Sequence, residues 1–221
     1  MLSAVPKSLK EQNRWQIWLI IAVNSLFLYG VVEANAIEID GIRSIFTDAS
    51  KLVPFGLAVV VATVLNGLLP ASAKARLVFL KWRNPLPGHR AFSRCMSADP
   101  RIDPAAVQRA IGGPLPVDAV EQNQVWYRLY KKVENDPAIS QVHRDFLLTR
   151  DYTALAVLFL IFYGGAGYYS IPSLKIATIY AVLLLIQCIV VRQAAFHYGI
   201  RFVTSVLARI GTNPTRREKK A

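Results

Sequence analysis

The sequence predicts an all-α membrane protein: four transmembrane helices, with a helical cytoplasmic insert between the second and the third. Three observations carry this. Hydrophobic residues make up 53% of the 221 residues and charged residues only 18%, against about 25% charged in an ordinary soluble domain. Mean hydropathy is +0.33. The net charge is nevertheless +12, and the positive excess sits beside uncharged apolar runs, as in chains that follow the positive-inside rule. An ordinary soluble enzyme, a disordered chain and a disulfide scaffold are excluded, since only Cys95 and Cys188 are present.

A spanning helix needs about 20 mostly apolar residues. Four uncharged runs qualify: 15–32, 52–69, 152–169 and 176–191. The last is short, but Lys175 and Arg192 flank it, and their long stems can reach the interface. The charges orient these spans. Residues 1–14 carry a net +2, 33–51 a net −2, 70–151 a net +5, 170–175 a net +1 and 192–221 a net +6. The N-terminus 1–14, the insert 70–151 and the tail 192–221 are therefore expected in the cytoplasm. The acidic loop 33–51 of the first hairpin (15–69) is expected outside, as is the link 170–175 of the second hairpin (152–191). The expected location is a bacterial inner membrane, multi-pass. Lys7, Lys10 and Arg14 before the first run, with Ala34-Asn35-Ala36 after it, also resemble a signal peptide. The run is longer than a signal core of about 7–15 residues, which favours a retained anchor.

The insert divides at its prolines. The spacing predicts that 71–83 continues the second membrane helix and that Asn84-Pro85-Leu86-Pro87-Gly88 ends it. Asp103-Pro104 is an N-cap and first-turn pair for a helix 104–111, stopped at Gly112-Gly113. Asp118 with Glu121 matches the spacing of a capping box for a helix reaching about Asn135. On it Val125, Leu129 and Lys132 share one stripe, and Trp126 and Tyr130 stand at i, i+4. Asp136-Pro137 opens another helix, expected to run through Asp151 into the third span.

No catalytic motif emerges. His89, His143 and His197 show no helical metal-site spacing, and no phosphate loop is present. A Cys95 nucleophile with His89 or His143 lacks an oxyanion element. No cofactor is expected. Inside the spans no Asp, Glu, Lys or Arg occurs, which speaks against an ion-coupled carrier. Asn24, Asn66 and Gln187 are the candidate residues for helix packing or for lining an oligomeric pore. Arg83, His89, Arg90, Arg94 and Arg101 form a candidate surface for an anionic ligand or a partner. Phe196, Ile200, Val203, Leu207 and Ile210 recur at spacings of four and three, as in an amphipathic helix. With Arg201, Arg209, Arg216 and Arg217 they predict a tail lying on the inner leaflet. Nucleic acid is set aside as a partner, because the positive-inside rule already accounts for the basic excess.

The most distinctive wording is NPLPGHRAFS (84–93), DPRID (99–103), EQNQVWYRLYK (121–131), HRDFLLTRDYTA (143–154) and HYGIRFVTSVLA (197–208). The wording of 84–154 looks like that of small uncharacterised bacterial inner-membrane proteins. The overall plan resembles small membrane effectors of bacterial anti-phage operons, including retron-associated and nucleotide-signalling systems. That resemblance implies a non-enzymatic homo-oligomer in contact with membrane lipids. It also implies a cytoplasmic partner from the same operon that senses infection, and a response that compromises the inner membrane. A structural or accessory subunit docking a partner through 84–150, and a small channel or exporter, remain the alternatives.

Overall fold

The computed structural model describes residues 8–33 and 53–212. The acidic loop, except Glu33, and the basic end with Arg216 and Arg217 lie outside the described residues, as does the 34–36 site. Every regular element among the described residues is helical. In order they are α1 (Leu9–Gln12), α2 (Arg14–Val32), α3 (Val53–Leu68), α4 (Ala71–Phe79), α5 (Met96–Ala98), α6 (Pro104–Ile111), α7 (Ala119–Val133), α8 (Pro137–Leu158), α9 (Gly164–Ser170) and α10 (Leu174–Thr212). A π-helical turn, Phe159–Tyr163, makes α8 and α9 one continuous rod.

Among the described residues, three helices are long and apolar enough to cross a membrane: Arg14–Val32, Pro137–Ser170 and Leu174–Thr212. The fourth expected span, α3, is uncharged but has 16 residues, about 24 Å at 1.5 Å per residue against a hydrocarbon core of about 30 Å. By contrast, the rods of 34 and 39 residues exceed what a bilayer requires, and both supply residues to two separately packed units.

The first unit comprises Met1–Lys74 with Leu148–Gln193. Its core gathers Ile21, Leu28, Ala62, Leu155, Phe159, Tyr163, Tyr180 and Leu184. On α2, Ile21, Ser25 and Leu28 face inward while Leu19, Val23 and Leu26 are exposed, so the helix is apolar all round, as a membrane segment is. Gly167 lets α9 and α10 approach, because a Cβ there would lie 2.9 Å from Tyr180 Cδ1.

The second unit comprises Ala75–Leu147 with Ala194–Ala221. Its helices start as the sequence predicts. Asp103 accepts from Ala105 N at 2.9 Å, and α6 stops at Gly112 with φ 79°. Asp118 accepts from Val120 N and Glu121 N, and Asp136 accepts from Ala138 N. Val125 and Leu129 are buried as expected, whereas Lys132 is exposed. Trp126 and Tyr130 stack at 5.9 Å, and both meet the edge or face of Phe202. Gly199 fits where nothing larger does, since its Cβ would meet Phe79 Cζ at 2.6 Å.

Three local expectations are corrected. The second apolar helix does not continue to Arg83. It breaks at Leu69-Pro70, restarts at Ala71 and ends at Phe79, where Leu80 takes φ 50°. Pro87-Gly88, expected only to end a helix in a turn, instead open a helical stretch over 87–98: a 3-10 turn (Pro87–Arg90), a π turn (Ala91–Cys95) and α5. They are held by the buried Gln122, whose Oε1 accepts from Phe92 N, Ser93 N and Ser93 Oγ while Nε2 donates to Val117 O. Finally, the apolar stripe expected on the inner leaflet is covered by protein. Val203, Leu207 and Ile210 are buried in the second unit's core, with Phe196 and Ile200 packed against it. The spacing defines the apolar face, and the insert's own aromatic residues satisfy it. Arg201 and Arg209 stay exposed on the opposite side, and Arg209 pairs with Asp136 at 2.7 Å.

Candidate functional site

The densest polar chemistry in the first unit is a buried ion cluster. Lys74 lies in the first turn of α4, just after Pro70, and is 3% exposed. Arg150 and Asp151 are consecutive on α8 and are 7% and 8% exposed. Asp151 Oδ1 receives Lys74 Nζ at 3.2 Å, Arg150 Nε at 3.1 Å and Arg150 Nη2 at 2.9 Å. One carboxylate oxygen thus takes contacts from two cations. Removing three charges from water costs several kcal/mol per ion.

The next residues extend the network. Tyr152 OH accepts from Gln187 Nε2 on α10 at 2.7 Å, and Thr153, fully buried, donates to Thr149 O at 2.8 Å. Two of these residues therefore tie α8 to its neighbours, Asp151 to α4 through Lys74 and Tyr152 to α10 through Gln187. The sequence gives a weak signal for this. The charges stand next to an apolar run, where solvated charges are also the rule, and Lys74 and Asp151 are far apart in the chain.

The three residues proposed for packing or pore lining are placed separately. Asn24 is buried and donates to Ile20 O at 2.9 Å. Asn66 is buried with Oδ1 lacking a hydrogen-bond partner. Gln187 is half-buried on Tyr152. No hydrogen bond joins any two of them. Sequence reasoning missed Ser25 Oγ on Tyr163 OH at 2.7 Å, which links α2 to the π turn.

The five-residue basic surface resolves into parts. Arg90 lies over the Phe79 ring at 5.3 Å, and burial lowers its pKa. His89, half-buried on Leu86 O at 3.1 Å, is lowered chiefly by burial and further by Arg90. Arg94 is exposed and stands close enough to Arg90 to bear on its charge. Arg101 is occupied by Asp99, with Nε on Oδ1 at 2.9 Å and Nη2 on Oδ2 at 2.6 Å. Arg83 is exposed in the loop after α4. His89, Arg90 and Arg94 thus stand close enough for Arg90 to bear on His89 and Arg94 to bear on Arg90. Cys95 beside them is buried, and burial pushes its thiol up to about 11 despite both arginines, so it is protonated at neutral pH and a poor nucleophile. Among the described residues, no group of three His, Cys, Asp or Glu side chains is placed to hold a metal ion.

No protein-family model matches this chain, and no curated protein or solved structure matches it either.

Proposed function

We propose that this chain is a non-enzymatic inner-membrane effector whose helical cytoplasmic unit controls the packing of its spans, and which permeabilises the membrane when that control is released. The observation that supports this most directly is the sharing of helices. The 137–170 rod and α10 each contribute residues to both packed units. A partner that changes the packing around Phe146 or Phe202 therefore acts on the same rods that carry Asp151 and Gln187. In this reading α3 completes a fourth span with its neighbouring residues, both termini are cytoplasmic, and copies of the chain assemble in the membrane. The setting is antiviral defence, with the trigger supplied by a partner from the same operon.

A second reading, an accessory subunit that docks a cytoplasmic partner without opening the membrane, draws on the exposed Arg94 beside Arg90. Membrane potential and dye entry after induced expression, with and without phage challenge, separate the two. The effector reading expects depolarisation, altered in Asn66→Leu or Gln187→Leu. A stable potential in both conditions, with the protein located in the inner membrane, refutes it in favour of the accessory subunit.

A further inference from the structure

We infer that the loop Leu80-Lys81-Trp82-Arg83 is a membrane-surface anchor, inserting Leu80 and Trp82 at the headgroup level of an anionic leaflet. The inference rests on the membrane reading above and adds a specific contact to it.

Four observations converge on this loop. Trp82 is 83% exposed and Leu80 is 70% exposed. Large apolar side chains so open to water are ordinary singly, but here two stand within three residues. Lys81 and Arg83 alternate with them and are also exposed. The backbone is held in an unusual shape, because Leu80 and Asn84, at φ 50° and 49°, are the two non-glycine residues with positive φ among the described residues. A leucine in the left-handed region costs energy and persists where the surroundings impose it. Leu80 N donates to Arg76 O at 2.8 Å, so α4 is closed by a cap that turns an apolar side chain outward. Lastly, the loop follows the apolar helix α3 closely in sequence, with only Leu69-Pro70 and the nine-residue α4 between them. The loop thus lies within the stretch beyond an apolar helix where basic residues bind the cytoplasmic surface.

The chemistry matches one occupant. Tryptophan prefers the membrane–water interface, where its ring is buried and its N–H stays hydrated. Each lysine or arginine beside it is drawn to anionic headgroups. A protein partner would more naturally meet an apolar patch free of flanking lysine, since lysine is depleted at interface cores.

The test uses the full chain in vesicles of phosphatidylcholine with and without phosphatidylglycerol. Tryptophan fluorescence of the parent is compared with Trp82→Phe and, separately, with Trp18→Phe, so that each difference reports one ring. The expected result is that the Trp82 component is quenched by a headgroup nitroxide and loses its quenching by aqueous iodide when phosphatidylglycerol is present. Lys81→Gln with Arg83→Gln then removes the dependence on phosphatidylglycerol. Leu80→Gly restores iodide quenching of Trp82 while keeping the fold, because glycine adopts the positive φ without strain. Trp82 fully open to iodide in both vesicles, with Trp18 quenched by an acyl-chain nitroxide, overturns the anchor and leaves the membrane reading standing. If Trp18 too is open to iodide, the membrane reading itself fails.

Discussion

Replacing Asp151 by alanine leaves Lys74 and Arg150 buried without the oxygen that both contact. Breaking a buried pair by removing one partner costs about 3–5 kcal/mol, because a charge stays buried and uncompensated. For a chain of this size about 2–4 °C of melting temperature corresponds to each kcal/mol, so the expected loss is roughly 6–20 °C. Thermal unfolding of the full chain in nanodiscs, followed by tryptophan fluorescence, reads it. The complementary variant replaces all three charges by apolar residues of similar size: Lys74→Met, Arg150→Met and Asp151→Leu. Apolar replacement of a buried ion cluster is often neutral or stabilising, so this triple variant should melt well above Asp151→Ala. If Asp151→Ala melts within about 2 °C of the parent, or if the triple variant is no better than the single, the cluster is not the buried, mutually dependent unit described above.

Three further outcomes follow from the second unit. Gln122→Leu removes one acceptor and one donor that together make four hydrogen bonds. At about 1 kcal/mol each, less for the shared acceptor, the cost is about 2–4 kcal/mol, and hydrogen exchange across 91–98 should accelerate selectively. Gly199→Ala drives a methyl into Phe79 and Phe146 and should cost about 1–3 kcal/mol as overpacking, visible as a lower melting temperature. The guanidinium of Arg101, with its backbone N–H and Thr204, holds the Asp99 carboxyl well below the usual range. A depressed folded value means that this stabilisation is complete above the ordinary carboxylate pKa of about 4 and is lost as pH falls through the lower folded value. Circular dichroism between pH 5 and pH 2 should show a loss of helix that is smaller in Asp99→Asn; equal acid sensitivity in the two proteins would rule the linkage out.

Local signals read well because their physics is local. Asp103, Asp118 and Gly112 act within a few residues of themselves, so their caps are visible in the sequence and present in the structure. The π turn at 91–95 is invisible for the opposite reason: its acceptor, Gln122, is 30 positions from Phe92. The stripe from Phe196 to Ile210 shows how far periodicity reaches. Spacing marks an apolar face, but lipid and protein satisfy such a face equally, and only the aromatic residues of 79–146 decide between them here. The burial of Lys74 and Asp151 has no local signal, since charge beside an apolar run is usually solvated; what buries them is the meeting of two helices far apart in sequence. Spacing likewise does not show that Arg101 of the basic surface is paired with Asp99.

The closure of the second unit by 194–212 has a consequence for synthesis. Phe92, Trp126 and Tyr130 pack against Phe202, Val203 and Leu207, which the ribosome adds only after the 152–191 segment. At about 5–20 residues per second, the 65 residues that follow Leu147 up to Thr212 take about 3–13 s to appear. For that interval the 75–147 segment holds an unsealed aromatic face while the last apolar helices are still being made. Its final element arrives at the end of a 39-residue helix long and apolar enough to cross a membrane, so completion of this core waits on that helix, and a nascent chain that misplaces it also fails to bury its aromatic residues, exposing itself to chaperones and proteases.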